Sequence, residues 1–499
     1  MPFRFNGGLK LNGHKSATAD VPIRRAAIPP MLYVPLQQHI GRRLTPRVST
    51  GQQVAAGELL ASCDGYVGAP IHAPVAATVT GVVERAVAAR GAPRQQCIAL
   101  ATSADAAWPG SIASEAETVA AVPAAQMLAA IESCGVLGLG GAGFPTHVKV
   151  REGLHRAVDT LIINGAECEP YITCDNRLLQ ERAAEIAHGA HMLARLVNAH
   201  RTIVALEEDM TAAAAAIRPW CEQLGLTLEM VPAIYPVGGE KQLTRVLLGR
   251  EIPRGSLPIH IGVLVQNVAT AAAVYRAVAH GGKLVSRVVT IAGDVASPGN
   301  FDTLIGTPVR AVLAQAGGRF EDDLQVWCGG SMMGTPLDDL DAPVTKTTNA
   351  LLVLPRAPAR VPLPCIRCGA CVDVCPASLQ PQALLDAAVA LESEALRKLH
   401  LFDCIECGCC DYVCPSTIPL AATYHRAKVH LEEARVAQLA SVAVRDRHQR
   451  RQARLAQGRD VLVEELITPP AAGDELRDAL AAAVARARQR KPDDGAGTI

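Results

Sequence analysis

The stretch that decides the fold is a repeated cysteine motif, CIRCGACVDVCP at residues 365–376 and CIECGCCDYVCP at residues 404–415. Each copy reads C-x2-C-x2-C-x3-C-P, the spacing typical of proteins that hold two [4Fe-4S] clusters. Three thiolates in one tight loop can hold three irons of one cluster, whereas the fourth, after a longer spacing, points at the neighbouring cluster. The motif therefore predicts two clusters whose ligands are exchanged between the copies.

Each predicted ligand set combines three cysteines of one copy with the last cysteine of the other. The two sets are Cys365, Cys368, Cys371 and Cys414, and Cys404, Cys407, Cys410 and Cys375. A structural zinc site is the alternative, but zinc sites usually pair two C-x2-C hooks and have no use for a third cysteine and a C-P. Cys409 breaks no spacing, and we interpret it as a bystander thiol.

The composition bounds the class of protein. With 499 residues the chain is too long for one core, so three or more domains are expected. A formal net charge of zero and 3% aromatic residues argue against a nucleic-acid surface or an electrostatically driven membrane surface. The N-terminus, MPFRFNGGLKLNGHK, lacks an apolar signal core, so the 16 cysteines indicate the reducing cytoplasm rather than disulfides. The longest apolar stretch, residues 257–279, is interrupted by polar residues, and no membrane-spanning segment is expected.

The N-terminal domain, residues 1–110, is predicted to be a small β sandwich. Short β-rich runs alternate with glycine turns, as in GAPIHAPVAATVTGVV. The pattern resembles the lipoyl and biotinyl carrier fold, a barrel-sandwich hybrid. The tight hairpin, however, carries Pro74, Val75 and Ala76 where a carrier would have its modified lysine. We therefore expect a docking or packing role and not a carrier.

The rest of the chain is predicted to be α/β, then β, then helical. Residues 120–280 alternate helical patterns with apolar strands and form an α/β domain; residues 281–355 read as a β-grasp module; residues 360–425 form a helical two-cluster ferredoxin domain. Residues 426–499 are predicted to form a charged helical tail. A solvated helix is favoured over a partner-docking arm. The last residues, RKPDDGAGTI, are expected to be disordered. The fold class is thus a multidomain α/β plus β protein.

A glycine-rich loop, GLGGAGFPTHVKV, contains a formal G-x-G-x-x-G in Gly138, Gly140, Gly141 and Gly143. The dinucleotide fingerprint should follow a strand, but the preceding AAQMLAAIESCG reads as a helix. Bare glycine backbone can still lie against a planar ring or wrap a phosphate, and Lys149 follows at a suitable distance. A tight structural turn is the alternative for this loop in isolation.

Three further segments carry polar side chains that suit a ligand. An apolar strand at residues 161–163 is followed by Asn164, Glu167 and Glu169, at the strand end where α/β sheets bind ligands. Helix capping near Asp175 is the alternative role for these carboxylates. The other two segments supply Gly238, Gly239, Glu240 and Lys241 in YPVGGEKQL, and Gln266, Asn267 and Thr270 in VLVQNVATAAAV.

Together these segments resemble the flavin-binding subunit of respiratory complex I and, more closely, the RnfC family of the Rnf electron transport complex. The ordered set comprises GGLKLNGHK, QHIG, IHAPVAATV, GLGGAGFPTHVK, INGAECEPYITCD, YPVGGEKQL, QNVATA, CGGSMMG, PVTKTTNA and the two cysteine motifs. It spans the chain to about residue 420. The resemblance implies noncovalent FMN in the α/β domain, NADH stacked on it, an SLBB-like β-grasp module and two [4Fe-4S] clusters.

The resemblance also implies which residues contact the flavin and nucleotide. Carried over by position, they are Gly138, Gly140, Gly141, Gly143, Lys149, Asn164, Glu167, Glu169, Gly238, Gly239, Glu240, Asn267 and Thr270. The chain departs from the complex I pattern at Gln266, where a second asparagine is usual, and at Ala166-Glu167-Cys168, where the relative has a denser acidic triplet. No general acid, nucleophile or catalytic triad is expected.

The function implied is that of an NADH/ferredoxin oxidoreductase subunit of a membrane-bound, ion-translocating Rnf complex, peripheral at the cytoplasmic face of the bacterial inner membrane. It would exchange electrons between NAD(H) and ferredoxin or flavodoxin through other membrane and peripheral subunits, and it would bind no nucleic acid. One alternative is the flavin subunit of a soluble NADH-linked hydrogenase or diaphorase. Another is a nonenzymatic iron-sulfur relay or scaffold, in which the glycine loop is only a turn.

Overall fold

A computed structural model describes residues 4–65, 67–89, 93–109, 122–319, 323–358, 361–467 and 474–489. The chain divides into two compact units, Met1–His425 and Arg426–Ile499. The predicted disorder of residues 490–499 lies outside the described residues. Within the described ranges, no helix is both long enough and apolar enough to cross a lipid bilayer.

The strands are, in chain order, β1 Arg24–Arg25, β2 Met31–Pro35, β3 Thr45–Pro46, β4 Gln53–Val54, β5 Leu59–Ser62, β6 Ile71–His72, β7 Ala77–Ala86, β8 Arg94–Thr102, β9 Thr160–Asn164, β10 Arg201–Glu207, β11 Thr227–Val231, β12 Val263–Asn267, β13 Ser286–Gly293, β14 Gly299–Leu304, β15 Leu324–Cys328, β16 Thr335–Leu337 and β17 Ala350–Pro355. The helices are α1 Ala124–Ser133, α2 Thr146–Leu154, α3 Cys174–Glu181, α4 Ala183–Val197, α5 Thr211–Leu224, α6 Glu240–Leu248, α7 Val268–His280, α8 Val309–Gln315, α9 Ala370–Asp373, α10 Pro381–Val389, α11 Ser393–Lys398, α12 Cys409–Tyr412, α13 Leu420–Ile467 and α14 Asp474–Gln489.

The N-terminal sandwich consists of two small antiparallel sheets, β2-β8-β7-β4 and β3-β5-β6. The prediction of a tight hairpin at residues 74–76 was wrong. Strands β6 and β7 belong to different sheets, and the turn between them joins the two layers. Val75 in this turn is fully buried, so the turn fills the core and does not present a side chain to solvent. Strand β1 lies outside the sandwich, because it pairs with β14.

The α/β domain is built on a parallel sheet of order β11-β10-β9-β12. Its apolar strands are buried on both faces, as expected for a parallel sheet covered by helices. In chain order the strands run outward from β9 to β11, and the chain then returns to add β12 on the other side. The order therefore reverses between β9 and β12, and this reversal is a topological switch point.

The third sheet combines strands from both ends of the chain. Its order is β1-β14-β13-β17-β15-β16, with β13 and β14 forming the antiparallel pair and α8 following, as the sequence indicated. The cysteine-rich domain that follows is helical: α10 and α11 lie between the two motifs, and the motifs themselves contain α9 and α12. The predicted fold class is confirmed by this architecture and by the family profiles reported below.

Candidate flavin crevice and cysteine cavities

The switch point of the parallel sheet brings two predicted site residues side by side. Asn164 ends β9 and Asn267 ends β12, and the two residues are direct partners in the parallel register. The Asn267 side chain accepts a hydrogen bond from Ala269 N at 2.8 Å and so caps α7. The crevice outside the carboxyl ends of strands at a switch point is the usual ligand site of such sheets.

The glycine loop closes one side of this crevice. Leu139 N donates to Thr270 Oγ1 at 2.8 Å, which ties the loop to the first turn of α7. A Cβ on Gly140 would lie 3.3 Å from Cβ of Asn267, so the loop backbone contacts the switch point directly. Gly141 has φ +103° and open space where a side chain would project. The loop follows α1 and not a strand, as expected, so it is not the dinucleotide fingerprint.

Lys149 and the turn before α6 close the other side. Lys149 Nζ lies 2.5 Å from Glu240 Oε1 and donates to Val265 O at 2.6 Å. Asn164 Nδ2 donates to Gly238 O at 2.8 Å, which joins the end of β9 to the same turn. The structure thus brings together residues from four segments that lie far apart in sequence. It leaves the ammonium group of Lys149 only partly exposed beside the crevice.

Both carboxylates of the acidic loop bind backbone amides. Glu167 accepts hydrogen bonds from Asp175 N at 2.9 Å and Asn176 N at 3.1 Å, which is the helix-capping alternative considered from the sequence. Glu169 accepts from Met332 N at 3.1 Å and Met333 N at 2.9 Å. Burial raises the pKa of each carboxyl to about 7, and the amides oppose that rise. Their contact with a flavin or nucleotide stays a prediction.

Two charged residues near the crevice were not identified from the sequence. Asp175 Oδ2 accepts a hydrogen bond from Asn267 Nδ2 at 2.6 Å, although 92 residues separate them. Lys15, from the N-terminal segment, lies 3.5 Å from Glu207 at the end of β10 and also donates to the carbonyl of Glu167. Burial alone would lower the pKa of Lys15, but Glu207 and Glu167 raise it above its ordinary value. No local signal indicated either residue, because their partners are distant in sequence.

The residues of the crevice fit an FMN group. Gln266 Nε2, next to Asn267, is buried without a hydrogen-bond partner, as expected of a donor that awaits a ligand. The loop around Gly141 offers bare backbone, and α6 and α7 both begin at the crevice, where helix N-termini favour an anionic phosphate. Lys149 adds a cation, now paired with Glu240, that would suit a phosphate group. Aromatic side chains are not needed, because glycine backbone can lie flat against a ring.

A second cavity lies beside α7 and borders the crevice, because Leu139 of the glycine loop and Asp175 are among its lining residues. Its volume is about 630 Å³ including the solvent at its mouth, and its charged lining includes Asp175, Arg182, Arg276, Arg287 and Asp302. None of the thirteen predicted flavin-site residues lines it. Its arginines are engaged: Arg182 pairs with Asp302, and Arg276 pairs with Glu185. The crevice at the switch point, and not this cavity, is therefore the candidate flavin site.

Each predicted set of four cysteines lines one cavity. Cys365, Cys368, Cys371 and Cys414 line the first, which we call the outer cavity. Cys375, Cys404, Cys407 and Cys410 line the second, which we call the inner cavity. The two have similar volumes, about 400 and 390 Å³ including the solvent at their mouths. The last cysteine of each motif thus turns into the cavity of the other copy, as two interdigitated clusters require.

The cavities differ in exposure. Cys365 and Cys368 of the outer cavity are exposed, and Ile366 between them is 67% exposed. Cys407 and Cys410 of the inner cavity are buried. Cys409 also lines the inner cavity and is fully buried, so it is a neighbour of the predicted ligands and not a surface thiol.

Four family profiles match the chain. They are the Nuo51 FMN-binding domain over residues 131–276, the RnfC barrel-sandwich-hybrid domain over 3–105, the SLBB domain over 288–336 and the 4Fe-4S dicluster domain over 363–418. The crevice lies in the first of these and the two cysteine cavities in the last. The chain therefore carries an FMN-binding domain and a domain for two [4Fe-4S] clusters.

Curated relatives match along most of the chain. The C subunit of the ion-translocating oxidoreductase complex of Serratia proteamaculans is 38% identical over 99% of this chain and 71% of the relative. The proteins of that name from Pseudomonas aeruginosa and Yersinia pseudotuberculosis serotype O:3 are 42% and 40% identical, over 90% and 93% of this chain. The chain spans 58% and 66% of the length of these two relatives.

Among solved structures, an NAD+-reducing [NiFe]-hydrogenase matches with 20% identity and a TM-score of 0.43, over 63% of this chain and 62% of that one. This similarity is too low to carry a conclusion about function. The curated relatives and the profiles agree with each other and with the predicted motifs. The chain belongs to the RnfC family, the C subunits of ion-translocating oxidoreductase complexes.

Proposed function

We propose that this subunit oxidises NADH at a flavin in the crevice and passes the electrons through its two clusters to a partner subunit, in exchange with ferredoxin or flavodoxin. The reverse direction uses the same groups. FMN, when bound, accepts a hydride and releases its electrons singly, which suits a two-electron donor and one-electron clusters. The chain's own task is to hold the groups in line and to exclude water and oxygen.

The observation that carries the proposal is the difference between the two cysteine cavities. The inner cavity packs against two neighbouring domains. Gln242 of α6, in the α/β domain, donates to Pro376 O at 3.5 Å. In the β-grasp module, Met332 O would lie 2.9 Å from a Cβ on Gly408. The outer cavity has exposed cysteines, with Val361 and Leu363 also exposed nearby. We infer that electrons enter at the inner cluster and leave at the outer one.

The residues that would hold the flavin are those that converge at the switch point. Lys149 and the N-termini of α6 and α7 would bind the flavin phosphate. The backbone at Gly140 and Gly141 would lie against the flavin ring. Asn164 and Asn267 would form hydrogen bonds with the polar edges of the ring. Glu167 and Glu169 act by fixing the backbone of α3 and of residues 328–334, which border the site. NADH would approach from the open side above Gly141.

We further propose that the subunit works at the cytoplasmic face of the bacterial inner membrane as part of an Rnf-type complex. Other subunits would supply the membrane anchor and the ion path. The exposed apolar residues beside the outer cavity suit a partner that brings its own redox centre close to this cluster, because electron transfer needs a short separation. No nucleic-acid role is proposed.

The test is an anaerobic NADH titration of the purified, cluster-reconstituted chain, followed by visible absorbance. We expect bleaching of both the flavin and the iron-sulfur bands. Iron-sulfur absorbance that NADH leaves unchanged, in a preparation that also lacks flavin, would support a nonenzymatic relay instead. A matched control is Lys149→Gln, which removes the cation at the crevice and should lower flavin content without changing the iron content.

A further inference from the structure

A single tyrosine connects the flavin crevice to the inner cavity. Tyr235 is 3% exposed, and its hydroxyl donates to the carbonyl oxygen of Cys407 at 2.6 Å. Cys407 is a predicted ligand of the inner cluster. Tyr235 itself belongs to the segment YPVGGEKQL, which forms one side of the crevice. The bond therefore joins the α/β domain to the cluster domain across a separation of 172 residues.

The backbone of Tyr235 is fixed as firmly as its hydroxyl. Leu9 N donates to Tyr235 O at 2.7 Å, and Tyr235 N donates to Leu9 O at 2.9 Å. The neighbouring Gly8 N donates to Val374 O at 3.0 Å, next to the ligand Cys375. The N-terminal segment thus links Tyr235 to a second ligand-bearing loop of the inner cavity. Tyr235 bonds one loop of the inner cavity directly, and the N-terminal segment that it pairs with bonds the other.

On its other side Tyr235 is close to the candidate flavin site. Gly238, three residues along the chain, accepts the hydrogen bond from Asn164 Nδ2 at 2.8 Å. Between them Val237 is fully buried. Tyr235, Cys407 and Cys409 form a buried apolar cluster, and the partly buried Met332 and Val374 pack against it. Buried residues therefore connect the turn that accepts the Asn164 hydrogen bond to the loop of Cys407.

We propose that Tyr235 is the positioning residue that fixes the inner cluster against the flavin crevice, so that this cluster receives electrons first and Tyr235 sets the rate of that step. The inference rests on the proposed function. In the balanced reaction, NADH and two oxidised clusters give NAD+, one proton released to solvent and two reduced clusters. Each cluster takes one of the two electrons, and the outer cluster receives its electron by way of the inner one.

The test compares two variants that each remove one hydroxyl. Tyr235→Phe removes the bond to Cys407 O. Tyr424→Phe removes a buried bond of the same length, 2.6 Å, from Tyr424 to Pro381 O. Both of these residues also line the inner cavity, but their bond lies within the cluster domain and does not reach the crevice. Full-length, flavin- and cluster-loaded proteins are mixed with NADH without oxygen, and flavin and cluster bleaching are followed separately. We expect Tyr235→Phe to bleach its flavin normally and its clusters about three- to tenfold more slowly, because the loop of Cys407 can then shift from the crevice and small misplacements of reacting groups slow their reaction. Tyr424→Phe should keep the wild-type ratio of the two rates.

Other outcomes separate the inference from the oxidation of NADH by the subunit. Wild-type cluster bleaching in Tyr235→Phe, or rapid-freeze EPR in which the outer cluster is reduced first, would overturn the inference. If NADH leaves the wild-type flavin oxidised, the proposed function fails, and the same comparison is then made after photoreduction of the flavin. If Tyr235→Phe loses its flavin or iron, Leu9→Ala is used instead, because it removes an apolar side chain packed against Tyr235 and keeps the hydroxyl. It should slow cluster bleaching too. A normal rate in Leu9→Ala would then reject the inference.

Discussion

The two cysteine motifs share a backbone conformation and differ in what covers them. Arg367 and Glu406, at equivalent positions, both have φ +55°. Gly369 and Gly408 both have left-handed φ angles, +83° and +75°, and each precedes a four-residue helix. Yet one motif supplies the exposed cysteines of the outer cavity, whereas the other is buried against the α/β domain. The local sequence therefore determines the backbone conformation of each loop, whereas distant segments determine how far its cysteines are buried.

The equivalence extends to the sulfur atoms. Cys375 Sγ accepts a hydrogen bond from Leu379 N at 3.3 Å, and Cys414 Sγ accepts one from Ile418 N at 3.5 Å. Such amide bonds to ligand sulfurs are one means by which a protein adjusts a cluster potential. Because these two bonds match, they do not distinguish the clusters, whereas the exposure of the cysteines differs between the two cavities. The comparison thus predicts two clusters with similar ligands and unlike environments.

The largest effect is expected from removal of an exchanged ligand. Cys375→Ala should abolish the inner cluster and halve the iron content, although Cys375 belongs to the first motif, because it lines the inner cavity. Its reduced EPR spectrum should match that of Cys404→Ala and differ from that of Cys365→Ala. Iron analysis and EPR of the three variants check this.

A spectrum shared by Cys375→Ala and Cys365→Ala would mean that each motif holds its own cluster, and the exchange of ligands would be wrong. Cys409→Ala is the matched control, because Cys409 lines the same cavity outside the predicted ligand set. It should retain all the iron.

The next largest effect comes from the two equivalent glycines. An alanine at Gly369 meets no atom within 4 Å and should cost about 1 kcal/mol, the penalty of a left-handed residue. An alanine at Gly408 would also place its Cβ 2.9 Å from Met332 O, so about 3 kcal/mol is expected. Denaturant unfolding of the cluster-loaded variants measures both. Equal losses would show that the inner motif is not packed against residues 328–334.

Features whose residues lie close together in the sequence were predicted, whereas contacts between residues far apart in the sequence were not. The ligand sets depend on spacings within a few residues and on a repeated motif, and the two cavities agree with them. The parallel strands ending at Asn164 and Asn267 were evident as apolar runs followed by polar residues. Contacts between domains were not evident, because nothing near Tyr235 in sequence indicates a partner at Cys407.

The acidic loop illustrates the same limit within one segment. Glu167 lies seven residues before α3 and not at its N-cap, yet its carboxylate accepts hydrogen bonds from the amides of Asp175 and Asn176. The capping role considered as an alternative from the sequence is therefore observed for Glu167. Glu169 binds amides that are more than 160 residues away. Residue type and strand end predicted a ligand role for both carboxylates. The fold gives their oxygens backbone partners, which only the tertiary structure could reveal.

A smaller effect of Glu169 should appear in the pH dependence of the free energy of unfolding. Burial raises the pKa of this carboxyl from 4.5 to about 7 in the folded protein. A raised pKa means that the folded state binds the proton more tightly, so the stability it contributes is present at low pH and lost as pH rises through 7. Between pH 5.5 and 7.5 the loss should be roughly 2 kcal/mol. Glu169→Gln, which cannot ionise, should flatten this part of the profile in denaturant unfolding.

If the wild type and Glu169→Gln lose stability in parallel over this pH range, Glu169 is already ionised and its pKa is not raised.

The smallest effect is expected from the charges between the α/β and cluster domains. Arg254 Nε lies 2.8 Å from Asp403 Oδ2, beside the ligand Cys404, but Arg254 is 52% exposed. Exposed ion pairs contribute about 0.2–1 kcal/mol, so Arg254→Gln should cost no more than that and should leave cluster reduction unchanged. Arg47→Gln, which breaks an exposed pair with Asp64 in the sandwich, is the matched control. A larger loss in Arg254→Gln, reduced by added salt, would mean that charge and not the buried contact at Tyr235 holds the inner motif in place.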